Sequence, residues 1–327
     1  MSRTARSDPR RAVGVAPPVA GEGATAGALA GAVPLAPAGH AAVSSVERVD
    51  RSARPEPAEP PEPSNGADIP QQDWQGRPLD CGGCAHLALR AQDGGCEPGH
   101  ACVRDAYARR IDRFFRRHPE LAAGHLQDPY FELRAIAARY TDLFRLPALI
   151  DDEDETVRLQ VALRLPQRLL GRLRDDPHRE VRIRVAQRLD LAELPTMLHD
   201  ADHEVRQAVA RRLPEALLPL LMHDVDAQVR KVVAGRLPMP ALWRMADDGR
   251  PEVRRIVAER LPAPLLDALA GDPDLVVRHT AACRAIGPVL QRLREDPEAV
   301  VREAADARHA TLAERGAVLH IPTDTHR

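Results

Sequence analysis

The chain has 327 residues and a formal net charge of −2, so it is long enough for a sizeable core, and bulk charge argues neither for nor against a polyanion partner. No apolar run approaches the roughly 20 residues that a membrane-spanning helix needs, so no membrane association is expected. Aromatic residues make up only 3% of the chain, and eight of the nine lie between Trp74 and Phe144 (Trp243 is the exception), which predicts an aromatic core there and an aliphatic one elsewhere.

Residues 1–72 contain 11 prolines and no aromatic residue, with an acidic proline-rich patch at Pro55–Pro63. Such a composition buries too little apolar area to offset chain entropy, so a disordered tail is expected. The arginines from Arg3 to Arg11, followed by an alanine-rich run, imitate a secretory leader. Pro17, Pro18, Gly21 and Gly23 break any apolar centre, so that reading is rejected and a cytoplasmic chain is expected.

Residues 73–127 carry Cys81, Cys84, Cys96 and Cys102, spaced C-x2-C-x11-C-x5-C. In a chain without an export signal, such a cluster points to a metal site rather than to disulfides. Glycines beside Cys81, Cys84 and Cys96 suit a loop whose backbone approaches a bound group closely. From the spacing alone, zinc and an iron–sulfur cluster stand level, because all-cysteine zinc sites also use C-x2-C pairs. His86 and His100 are close enough in sequence to belong to a mixed site, but with four cysteines present a supporting or surface role is expected. A helix is predicted from Val103 to about His118, with an apolar stripe of Tyr107, Ile111, Phe114 and Phe115. Its other face carries Arg104, Arg109, Arg110, Arg113, Arg116 and Arg117, which could offset cluster charge, touch phosphate or simply face water.

Residues 128–316 repeat every 24 positions, in eight units. Val157-Arg158 recurs as Val-Arg pairs through Val301-Arg302, and Asp recurs from Asp128 to Asp296. Leu recurs from Leu146 to Leu290. Three columns in one register predict a solenoid whose units bury their apolar faces on one another. In the unit from Asp200, Asp200 and Asp202 precede a helix whose buried face is Val205, Val209, Ala210 and Leu213. Leu213-Pro214 ends that helix, and Leu217, Leu218 and Leu221 mark a shorter second element. Two helices in 24 residues leave room for one to be 3₁₀, and no strand signal is present. Arginine forms two columns, Arg134 through Arg302 and Arg164 through Arg308. Repetition in every unit favours pairing with the Asp ladder or with helix carboxyl ends over a surface for an acidic partner. The acidic run Asp151–Glu155 needs only helix-dipole complementarity. Cys283, alone in its column, is expected to be inert rather than a fifth ligand. Residues 317–327 are expected to fray, and Asp306 and His309 in core columns mark the last unit as a cap.

The columns and the Asp-Cys81-Gly-Gly-Cys84 … Cys96 … Cys102 segment together resemble the leucine-rich repeat variant proteins. Asp190 and Ile286 depart from that pattern, standing where other units have Pro. The resemblance implies an all-α, right-handed solenoid of 24-residue α/3₁₀ repeats with a small amino-terminal iron–sulfur module. It also implies a [4Fe–4S] cluster on Cys81, Cys84, Cys96 and Cys102, with zinc as the alternative.

No phosphate-cradling glycine loop, metalloprotease motif or nucleophile elbow is present, so no enzyme is expected. The leading expectation is a redox- or iron-responsive scaffold that meets an unidentified protein partner through its solenoid. An electron-transfer protein and a zinc-stabilised interaction module are the alternatives. Nucleic-acid binding through the arginine columns ranks below them.

Overall fold

The computed structural model describes residues 69–319, which fall in one compact unit. The tail expected over residues 1–72 lies outside these as far as residue 68, and so do residues 320–327. Among the described residues there is no strand, only two isolated bridges, Gln72 with Pro78 and Glu97 with Ala101.

Eight α-helices begin at Phe131, Glu155, Arg179, His203, Ala227, Pro251, Leu275 and Ala299, each 24 residues after the last. Six of them, from Phe131–Tyr140 to Pro251–Arg260, are ten residues long. Between successive helices lies a short second element: Leu143–Leu149, Leu194–Met197, Glu215–Leu221, Ala241–Met245 and Ala263–Leu269 are 3₁₀. Gln167–Leu170 and Gly287–Leu293 are short α-helices in the same place. The α/3₁₀ alternation expected from 24-residue units is therefore what the chain forms.

The columns explain the packing. Val157, Val161, Ala162 and Leu165 of one helix are fully buried, as are Val205, Val209, Ala210 and Leu213 two units on. Leu170 and Leu218 from the second elements are equally buried, and one continuous core runs from Cys96 to Ala305. Burying each such Val or Leu is worth roughly 1.5–3 kcal/mol, and no unit gains it without a neighbour.

Both arginine columns are spent inside the array. Arg134, Arg158, Arg182, Arg206, Arg230, Arg254 and Arg278 each grip the Asp 18 residues ahead through two nitrogens; Arg206 Nε and Nη2 donate to Asp224 at 2.7 and 2.9 Å. The third nitrogen turns back to the carbonyls that start its own unit, as Arg206 Nη1 does to Asp200 O at 2.8 Å. The other column reaches backward: Arg212 Nη1 donates to Ala186 O at 2.8 Å and Arg236 Nη1 to Ala210 O at 2.6 Å, satisfying carboxyl-terminal carbonyls of the preceding helix. The carboxylate of Asp224 also accepts from Asp226 N at 2.8 Å, closing the turn. The residue that caps the helix is thus Asp202 or Asp226, two beyond the repeating Asp. Asp200 and Asp224 serve as turn-formers and arginine partners instead.

Three boundaries differ from expectation. The basic helix is Ala108–Arg117, not Val103 onward, because Asp105 folds the chain back with Oδ1 accepting from Tyr107 N at 2.9 Å. Asp128 makes the same turn with Tyr130 N, and the Pro119–His125 3₁₀ segment follows Ala108–Arg117 as a second element follows each array helix. The array architecture therefore begins one unit before Asp128. The sequence hid this unit because its helix starts 23 residues before the next, and Arg110 replaces the buried Val. Arg110 is 1% exposed and is satisfied by Asp105 and by the carbonyls of Ile69 and Pro70. At the other end, the last helix runs on to Leu319 because no Leu-Pro stop stands at His309-Ala310, so 317–319 are helical. Where Ile286 replaces Pro, the preceding helix shortens to Leu275–Ala282 and Gly287 takes a φ of 54°.

Aromatic residues do fill the junction. Phe114 and Phe115 are fully buried, in edge-on contact. Phe144, by contrast, is 74% exposed.

Candidate metal centre

The module before the first helix is a set of turns that aims four cysteines at one recess. Asp80 Oδ1 accepts from Gly82 N at 2.8 Å, and Cys84 N donates to Cys81 O at 3.2 Å, so the first pair sits on one tight turn. Glu97 and Ala101 exchange backbone bonds of 2.8 Å, pinching off a small loop between Cys96 and Cys102. Cys102 N then donates to Arg110 O at 3.1 Å, tying the last cysteine to the first helix. Gly95 has no alternative, since a Cβ there would stand 1.8 Å from Leu89 O.

Cys81, Cys84, Cys96 and Cys102 line the recess together with Leu79, His86, Leu87, Arg90 and Arg104. Cys96 and Cys102 form its buried floor; Cys81 and Cys84 are half-buried at its mouth. Burial pushes the Cys102 thiol up to about 12, and burial likewise raises Cys96. As free thiols these two hold their protons at neutral pH, so a metal binding there has to displace them. The backbone N–H of Arg104 points at the Cys102 sulfur, and Arg90 lies close enough to Cys96 to favour its thiolate. Four thiols on one recess, with no disulfide among them and with nearby cations, fit thiolate ligation of a cluster. Among the described residues, no three His, Cys, Asp or Glu side chains are gathered as a single-ion site.

The histidines behave differently from one another. His86 lines the recess, but its Nε2 lies 2.9 Å from His125 Nε2 and its ring rests on Phe114. Burial lowers the pKa of both His86 and His125, which favours their neutral forms. His100 lies half-exposed, with Nδ1 2.9 Å from Glu97. Cys283 is exposed at the end of Leu275–Ala282, with Sγ 3.9 Å from His279 Nδ1, and does not join the four.

The helix arginines do not face the sulfurs. Arg117 donates to Gly95 O at 3.1 Å and Arg113 to His100 O at 3.3 Å, so they fasten the loops bearing Cys96 and Cys102. Arg116 pairs with Asp112. The cations at the recess are Arg90 and Arg104. Arg90 escaped sequence reading, because a lone arginine in an irregular segment carries no pattern.

Stacked α/3₁₀ units and a cysteine-lined recess define an all-helical repeat protein with an iron–sulfur segment. A family model described as "LRV protein FeS4 cluster" matches residues 71–124, and one described as "Leucine rich repeat variant" matches residues 155–178, 203–226 and 251–274. A solved structure titled "A leucine-rich repeat variant with a novel repetitive protein structural motif" is 47% identical, with a TM-score of 0.67; the match covers 70% of this chain and 98% of that one. The chain belongs to the leucine-rich repeat variant family. An "Uncharacterized 27.7 kDa protein in nifB 3'region" of Rhodobacter capsulatus is 50% identical over 94 residues, 29% of this chain and 38% of that protein's length. No helix among the described residues is long and apolar enough to cross a membrane.

Proposed function

We propose that Cys81, Cys84, Cys96 and Cys102 hold a [4Fe–4S] cluster, and that the chain is a redox- or iron-responsive scaffold, not an enzyme. The observation that carries this is the convergence of all four cysteines on one recess in the segment matched as an FeS4 cluster. The bound group would supply reversible one-electron chemistry; the chain supplies four sulfurs, a buried floor and nearby arginines. The partner is a protein that docks on the 3₁₀ side of the solenoid, where Leu143, Leu191, Leu220, Met239 and Trp243 are exposed. Both arginine columns are engaged internally, which leaves them little to offer a nucleic acid.

Iron and sulfide analysis of anaerobically purified protein tests the cluster. About four of each per chain is expected, with broad visible absorption. One zinc and no sulfide would overturn it. The half-buried position of Cys81 and Cys84 at the mouth of the recess also favours a second reading, electron exchange with a docked enzyme at that edge. A reversible potential supports that reading, and a cluster that falls apart on reduction removes it.

A further inference from the structure

A second concavity lies behind the cysteine recess, where the module meets the first array unit. It has a volume of about 350 Å³, in the lower part of the range for small-molecule sites. Trp74 and Tyr130 stand in its wall with their rings 6° from parallel and centroids 6.0 Å apart.

Both rings are held from behind. Tyr130 OH donates to Ala106 O at 3.0 Å, and Tyr130 N donates to Asp128. The turn carrying Trp74 is closed by Asp73, whose carboxylate accepts from Gln75 N, Arg77 N and Arg77 Nε at 2.8–2.9 Å. Trp74 nevertheless remains 45% exposed, so much of its indole is fixed in orientation and open. A preorganised aromatic surface binds a flat ring at little entropic cost.

Not every charge in the cleft has an ion partner. Asp73 is paired with Arg77, whereas the Asp128 carboxylate accepts from Tyr130 N and lies 3.9 Å from the His125 ring. Arg104 lines the same cleft, and its guanidinium makes no hydrogen bond or ion pair among the described residues. The residual character of the site is one aromatic face beside one free guanidinium, a group that matches phosphate or carboxylate in its fork geometry.

We propose that this cleft binds a small aromatic phosphate of mononucleotide size, with its ring on Trp74 and its phosphate on Arg104. Arg104 lines the cysteine recess as well, so the ligand sits one side chain from the proposed cluster. The site itself does not depend on what the cysteines hold.

Calorimetric titration of the full, iron-loaded chain with AMP tests it. The expected result is saturable binding with a Kd of about 10–100 µM, and at least about tenfold weaker binding of adenosine or inorganic phosphate alone. Arg104→Gln should weaken AMP about tenfold or more, with the affinity compared per iron-loaded chain. Trp74→Leu, which leaves the cysteine turns intact, should abolish the signal. Absence of saturation up to millimolar AMP would overturn the proposal, as would unchanged affinity in either variant. Iron content measured in the same samples keeps a failure of the cluster assignment separate from a failure of this one.

Discussion

The cysteine module and the repeat array solve the same problem by opposite means. Each array unit buries aliphatic columns against an identical neighbour, and fastens itself with the same arginine bonds each time. The module has no repeating partner. Its chain from Ile69 to Tyr107 forms turns and one short 3₁₀ segment, Leu87–Ala91, and among Leu87–Ala91 no residue is buried. The difference teaches where stability must come from. The array closes on itself through its repeats, whereas the module gathers four sulfurs in a segment with little apolar filling, so a group bound to them would add to its order.

The sharpest way to break this contrast is to remove a ligand. Cys102→Ser should lose essentially all bound iron, read by elemental analysis, while far-UV circular dichroism of the array stays nearly intact. Equal loss of helix signal would mean that the two regions share one folding unit. Next in size is the loss of one ladder arginine. Arg206 and Asp224 are 10% and 5% exposed at their side chains, so Arg206→Ala leaves a buried carboxylate without its paired cation and should cost about 3–5 kcal/mol in denaturant unfolding, with iron content unchanged. Leu218→Ala, at a fully buried column position, should cost about 3 kcal/mol in the same assay. Asp226→Ala removes the side chain that accepts from Gln228 N and Val229 N, and should cost about 1 kcal/mol.

Acid should separate the two regions further. The bond from Arg278 holds the Asp296 carboxyl below its ordinary value of 3.8. Asp224, Asp248 and Asp272 are also lowered: burial opposes this, but their arginines and backbone N–H groups outweigh it. A carboxyl whose folded value lies below its unfolded one contributes its full stability above about pH 3.8 and loses it as the pH falls through the folded value. The array's melting temperature should therefore drop below about pH 4, and a variant with Asp296→Asn should show a shallower drop.

The array was legible because each constraint is written seven or eight times. Val205 read alone is one apolar residue; Val205 in a column fixes a face, a helix phase and a neighbour. Of the two acidic residues read ahead of the helix, the structure assigns the cap to Asp202 and not to the repeating Asp200; the cap column is the less regular one, becoming His178 and Arg250 elsewhere. The unit at Ala108–Arg117 was illegible because one residue of slippage and a buried Arg110 erase the column, and only the fold brings Asp105, Ile69 and Pro70 to that guanidinium. The four cysteines could be found by spacing. Their depth could not, since spacing says nothing of burial, and Cys96 and Cys102 are buried whereas Cys81 and Cys84 are only partly so.

Each ladder arginine from Arg134 to Arg278 points one unit forward, and each of the second set points one unit back. A seam of this kind is stitched at both edges of each joint it spans, so the fastening is shared along the array rather than concentrated at one place. The helix Ala108–Arg117 is clamped to the first array unit through Tyr140 OH and Asp112, 2.9 Å apart. Cys102 N bonds Arg110 O on that same helix, so the cysteine loop and the array meet on one element.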